Sequence, residues 1–233
     1  MATSYSPKIV TDGMVLCVDA ADKNSYSGSG TAVNNLASTA NAGTFEQNTS
    51  FTTDQKGAFN FDGTDDYIEI DPPIPQATTE ITINAWFKAT GASGTNNDVA
   101  GGFIFGGNPG LSHGPILTYS WANQQVLFSI YINQGFSYAT GVSQNKIHNV
   151  CGTFNRPTGK VYVNGVKEVE GTKDYNVTYQ DTTSGNRIGM WGTVSGFPRN
   201  FTGQIYLVQV YNRELSADEV LQNYNAQRSR FGV

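Results

Sequence analysis

Apolar residues in this chain alternate with polar ones in short runs, and Gly, Asn or Asp cuts off each run. A spacing of two puts alternate side chains on opposite faces of an extended strand. Ile81–Lys88 (ITINAWFK) is the clearest case, with Ile81, Ile83, Ala85 and Phe87 on one face. Lys160–Val163 and Val166–Val169 flank Asn164-Gly165. That pair between alternating runs predicts a hairpin with a type I′ turn, because both residues tolerate positive φ. Further strands are predicted at Met14–Asp19, Ala58–Phe61, Tyr67–Ile70, Phe103–Phe105, Ile116–Tyr119, Val126–Ile132, Phe136–Thr140, Asn145–Phe154, Arg187–Trp191 and Gln204–Tyr211. The last, apolar on both faces, reads as a central strand. Residues 22–57, rich in Gly, Ser, Asn and Thr, read as mostly loop.

One helix is predicted, over 216–228. Ser216 and Glu219 fit a capping box, and Leu215 and Val220 occupy the staple positions. Val220, Leu221 and Tyr224 form its apolar stripe. No linker or repeat divides the chain, so residues 1–233 read as one domain. The fold class expected is all-β: a two-sheet antiparallel jelly-roll sandwich with one short C-terminal helix.

Composition removes several function classes. The net charge is −5 with no Lys/Arg cluster, so no nucleic-acid partner is expected. No apolar run is long enough to span a bilayer, and the first residues lack the pattern of a secretory signal. Synthesis and folding in a cytoplasm are the expectation. Cys17 and Cys151, the only cysteines, lie in strand-like apolar runs. Buried free thiols are the favoured reading and a disulfide between neighbouring strands is its competitor.

The segments FDGTDDYIEI, ITINAWFK, HNVCGTFNRPTGKVYVNGVKE, RIGM and FTGQIYLVQVYNRELSADEVLQNYNAQRSRFG occur in that order. Together they resemble the LamG-like jelly-roll domains of the concanavalin A-like lectin/glucanase superfamily. IVTDGMVLCVDAADKNSYSGSG and YNAQRSRFG resemble versions found in virion proteins of tailed phages, cyanobacterial and marine ones especially. The resemblance implies a non-enzymatic virion structural protein, decorating capsid or tail on the particle surface and assembled in the host cytoplasm. The partners it implies are other virion proteins, a second copy of the chain, and host-surface glycan. A stand-alone lectin-like domain is the alternative, and a divergent glycoside hydrolase a lesser one.

Glycoside hydrolysis needs two carboxylates flanking the bond. Glu69 and Asp71 begin the superfamily's Glu-x-Asp-x-x-Glu pattern, but Ile74 stands at the second Glu and Pro72-Pro73 end the strand. Glu168 and Glu170 sit beside the hairpin turn and read as a solvated edge. His148 and Cys151 point to opposite faces of one strand, so no dyad forms there. No catalytic residue is assigned and no cofactor is required. Asp62, Asp65 and Asp66 crowd one loop, as Asp19 and Asp22 crowd another. Calcium is the candidate ion for Asp62, Asp65 and Asp66, a plain Asp-Gly turn being the alternative. Glycan contact is expected from loop aromatics and amides: Tyr119, Trp121 and Asn123 in one loop, Trp191 and Arg199 in another. Both Trp residues would otherwise cap the core or fill an interface.

Overall fold

The computed structural model of the chain describes residues 7–39, 42–74, 79–91, 102–106, 113–131, 137–172, 185–190 and 200–233. In chain order the strands are β1 (Met14–Asp19), β2 (Ala32–Asn34), β3 (Ala42–Glu46), β4 (Ser50–Thr52), β5 (Ala58–Asp62) and β6 (Tyr67–Asp71). They continue with β7 (Glu80–Ala89), β8 (Gly102–Gly106), β9 (His113–Ser120), β10 (Gln125–Tyr131) and β11 (Ser137–Ala139). The last are β12 (His148–Asn155), β13 (Thr158–Val163), β14 (Val166–Thr172), β15 (Asn186–Ile188) and β16 (Thr202–Tyr211), followed by helix α1 (Ala217–Gln227).

Two antiparallel sheets result. The first runs β14-β13-β12-β7-β16-β5-β4, and β1 shares the β5 edge of β16. The second runs β11-β10-β9-β8-β15-β6-β3-β2. The chain is therefore the expected jelly-roll sandwich with one C-terminal helix. Ile81, Ile83, Ala85 and Phe87 of β7, Val150 and Phe154 of β12, and Val126, Phe128 and Ile130 of β10 fill the space between the sheets. Gly152 belongs to this layer. A Cβ built on it would lie 2.3 Å from two atoms of the Phe128 ring, so the ring from the opposite sheet fills the place of a side chain. The hairpin between β13 and β14 turns at Asn164 (φ 51°) and Gly165 (φ 80°), with Val163 opposite Val166.

One expectation gains detail and two are corrected. Among its described residues the stretch 22–57 is mostly loop, with the short strands β2, β3 and β4 inside it. Tyr26, Phe45, Phe51 and Phe59 hold it down as one aromatic cluster, with ring centroids 5.0–5.7 Å apart around Tyr26. Strict alternation also fails in β16. The register shifts between Ile205 and Leu207, so Ile205 joins Val208 and Val210 in the inter-sheet core, while Tyr206 and Leu207 face outward. A β-bulge of this kind changes which face the following residues serve. On α1, Leu221 is exposed and Asn223 is buried in its place. Asn223 Oδ1 accepts from Val10 N at 2.7 Å, and its Nδ2 donates to the Tyr211 hydroxyl.

The helix starts as expected. Ser216 Oγ accepts from Glu219 N, and Glu219 Oε2 accepts from Ser216 N. Leu215 and Val220 pack in one cluster beneath it. The N-terminal arm joins it there, since Gln222 Nε2 donates to Lys8 O and Arg213 bridges Asp12 and Glu219. Among the described residues no helix is long and apolar enough to cross a membrane. Cys17 and Cys151 are both buried and free.

Candidate functional site

The two outer faces of the sandwich differ. Helix α1 and the turn after it cover the outer face of the first sheet. Trp86 lies there fully buried, stacked on Phe231 at 4.2 Å and Tyr224 at 5.6 Å. A chain of amides crosses the face beside it. Asn149 Nδ2 donates to Asn84 Oδ1, and Asn84 Nδ2 to Gln209 Oε1. Gln227 of the helix donates to the same Gln209 oxygen and accepts from the Trp86 indole N–H at 2.7 Å. Arg230 closes the far end on Asp19, Gln55 O and Gly57 O. An aromatic ring ringed by amides is the composition of a sugar platform, but here the chain's own C-terminal segment occupies it. Trp86 is architectural.

On the outer face of the second sheet, where β3, β6 and β15 pair, Thr44 is exposed, Tyr67 and Glu69 are half-buried, and the Arg187 side chain is 12% exposed. The register lines up Thr44, Glu69 and Arg187 in one cross-strand row. Arg187 Nε donates to Glu69 Oε2 at 2.6 Å, and the guanidinium lies 4.2 Å over the Tyr67 ring. Arg187 Nη1 is buried without a partner. Gly106, next in the row on β8, adds no side chain. Glu46 and Asp71 stand on the same strands, half-buried and exposed respectively. Three carboxylates against one guanidinium make this strip acidic. Asp71 lies at the end of β6, and Glu69 Oε2 is engaged by Arg187. Glu168 is exposed on the edge strand and Glu170 pairs with Lys167, the solvated edge expected of them.

The residues expected to hold glycan separate. Tyr119 is core: it is 3% exposed, its ring packs on Phe87, and its hydroxyl donates to Val142 O at 3.0 Å. Burial pushes its phenol up to about 12. It offers no platform, because alternation turns it inward beside Leu117. Trp121 is half-buried at the β9–β10 turn, packed on the core edge beside Phe201, and Asn123 next to it is exposed. Trp191 and Arg199 lie outside the described residues. The Arg187–Glu69 pair escaped the sequence reading, because the partners stand 118 positions apart and only the β6–β15 register joins them.

Asp62, Asp65 and Asp66 do converge. One oxygen from each lies within 4.8 Å of the others. Asp66 is buried; its Oδ1 accepts from Asn48 N and its Oδ2 from Asp62 N. Asp62 Oδ1 accepts from Thr64 N. Burial raises the Asp66 carboxyl, with Asp62 and Asp65 adding to it. The other acidic pair is satisfied otherwise, Asp19 by Arg230 and Asp22 by Asn24 N.

Solved structures share this architecture. Domain 4 of AbnA, a GH43 extracellular arabinanase from Geobacillus stearothermophilus solved with arabinotriose, superposes with a TM-score of 0.66 at 11% identity, over 91% of this chain and 98% of that one. A mutant Trypanosoma rangeli sialidase displaying trans-sialidase activity gives 0.67 at 18% identity, over 97% of this chain and 34% of that one. The botulinum neurotoxin serotype D binding domain gives 0.66 at 15% identity, over 94% and 53%. The chain thus spans almost the whole arabinanase domain, but about a third of the sialidase and half of the toxin domain. At these identities the likeness is one of fold. No curated protein matches the chain by sequence. A family model described as the concanavalin A-like lectin/glucanases superfamily matches residues 62–221, well over half of the chain, and to that superfamily the chain belongs.

Proposed function

We propose that the chain is a non-catalytic recognition module that binds neutral glycan on the outer face of its second sheet, and that it works on the surface of a phage particle. The strip Thr44, Glu69, Arg187 and Tyr67 carries the reading. It offers a rigid acceptor, a rigid donor and an aromatic side chain on regular strands, the few fixed polar groups that orient a sugar. Its excess of carboxylates repels an anionic sugar, so hydroxyl-rich neutral saccharides fit it better than sialylated ones.

Catalysis is not part of the proposal. An acid and a base must both be free to face the glycosidic bond. Arg187 engages Glu69, and Asp71 stands at the strand's exposed end. The particle setting draws on the resemblance of residues 9–30 and 224–232 to virion segments, and on two buried free thiols, which suit assembly in a reducing host cytoplasm.

A glycan array containing arabinan and sialylated oligosaccharides tests the binding reading. Binding to neutral glycans, reduced by Arg187→Ala and Glu69→Gln, is the expected result. No binding to any glycan or host envelope preparation would refute it. Release of sugar from arabinan or β-glucan, abolished by Glu69→Gln, would show an enzyme instead. Mass spectrometry of purified particles tests the setting, and absence of the chain from intact virions would remove it.

A further inference from the structure

A strap without helix or strand joins β11 to β12 (residues 140–147) and carries the chain from the edge of the second sheet to the first. Hydrogen bonds pin it along one rim of the sandwich. Val142 N donates to Gln124 O, and Val142 O accepts from the Tyr119 hydroxyl. Gln144 Nε2 donates to Trp121 O, and Asn145 N to Ala89 O. The Val142 side chain is buried in the inter-sheet core.

His148 stands where the strap ends. Parity with Val150 and Phe154 turns its ring toward the second sheet. The ring is buried, and Nε2 lies 3.1 Å from Ser143 O on the strap. A carbonyl only accepts, so Nε2 carries the hydrogen and Nδ1 is bare. Nδ1 is itself buried without a partner. A proton arriving there would create a buried charge and a buried N–H with no acceptor, both costly. Burial lowers the imidazole from its ordinary 6.5, Lys146 adds to this, and the bond to Ser143 opposes it.

Among the described residues no carboxylate stands ready to receive that charge. Lys146 on the strap is exposed. Phe87 is the partner of His148 on β7; Lys88 beside it is paired with Asp54, and Glu80 lies at the far end opposite Asn155. Lys160 of β13 is paired with Glu214, and Lys167, Glu168 and Glu170 of β14 are exposed. β9, β10 and β11 carry tyrosines and His113 but no Asp, Glu, Lys or Arg.

We propose that His148 is a latch released by acid: its neutral ring holds the strap on the rim, and protonation at Nδ1 frees it. The proton comes from water, and the charged ring regains hydration only by leaving the rim. The strap then loses its tie through Ser143, and the apolar edge at Tyr119 and Val142 opens. The undocked ring titrates near 6.5 and the docked ring lower. The latch is therefore intact above about pH 6.5 and weakens as the pH falls below it.

Amide hydrogen exchange on the full chain between pH 7.5 and 5, corrected for the intrinsic rate at each pH, tests this. Opening takes up one proton, so protection of the Val142 and Asn145 amides should fall by up to about tenfold per pH unit below about 6.5. His148→Gln keeps an N–H for Ser143 O but takes no proton, and should abolish the fall. His113→Gln should leave it in place. Amides inside β7 should stay better protected than the strap at every pH. Nitrogen NMR of the parent ring, which needs no variant, should show the Nε2–H tautomer at pH 7.5 and a midpoint below 6.5. Strap protection unchanged down to pH 5, a fall that survives His148→Gln, or a ring carrying its hydrogen on Nδ1 would each overturn the latch. So would equal protection of the strap and β7, since His148 would then act only on global unfolding.

Discussion

Gly152→Ala measures how closely the two sheets approach. The added Cβ would stand 2.3 Å from Cγ and Cδ2 of Phe128 and 2.8 Å from its Cβ. Carbon atoms rest at about 3.5–4.0 Å, so the ring has to retreat by about 1.2–1.7 Å. Phe128 is fully buried on β10 of the opposite sheet, with neighbours Val126 and Ile130 also in the core, so its ring cannot retreat without moving backbone. Overpacking of this kind costs about 1–3 kcal/mol, and a shift this large belongs at the upper end. For a chain of this size about 3 kcal/mol lowers the melting temperature by about 6–12 °C. Urea unfolding followed by tryptophan emission gives the free energy directly. Phe128→Leu in the same chain should recover part of the loss, a coupling of about 1 kcal/mol or more in a double-mutant cycle. A Gly152→Ala variant within about 0.5 kcal/mol of the parent, or strict additivity with Phe128→Leu, would refute this account of the core.

Other outcomes follow from the sealed face and the chain ends. Phe231→Ala strips the ring stacked on Trp86; it should cost about 3 kcal/mol and shift tryptophan emission to the red, checked by the same urea titration. The hydrogen bond from Arg213, with the Ser216 backbone N–H, holds the Glu219 carboxyl down from 4.5 to about 2. Its stabilising contribution is therefore complete above about pH 4.5 and is lost as the pH falls toward about 2, a slope that Glu219→Gln should flatten in acid titrations of stability. Burial raises both thiols, Cys17 to about 12, so neither should react with a thiol reagent in the native chain, and both should react after denaturation without reductant. A single disulfide recovered instead would contradict the free-thiol assignment.

Much of the architecture was legible from local signals. The Asn164-Gly165 turn, the alternation of Ile81–Phe87 and the Ser216–Glu219 box each depend on residues a few positions apart. What could not be read is what depends on partners far along the chain. The strands inside residues 22–57 exist because Tyr26 reaches Phe45, Phe51 and Phe59, which propensity does not report. The bulge in β16 follows from pairing with β7, and the burial of Asn223 from Val10 arriving across the sheet. For the candidate sites, proximity in sequence identified the Asp62–Asp66 cluster, but not the bond from buried Asn200 to the Thr64 carbonyl within it. Tyr119 looked exposed because it borders a turn, yet strand parity points it inward. Glu69 was noticed for the wrong partner, Asp71, when its neighbour across the sheet is Arg187.

The docking of the arm at Lys8–Asp12 on the helix has a geometric outcome for display. Both the entering arm and the C-terminal helix lie on the outside of the first sheet, through Val10 on Asn223 and Phe231 on Trp86. The arm at Lys8–Asp12 and the C-terminal segment thus share that side of the sandwich. The strip around Arg187 looks the opposite way. Under the proposed reading, a support could hold the module at its back while the β3–β6–β15 surface faces what it binds.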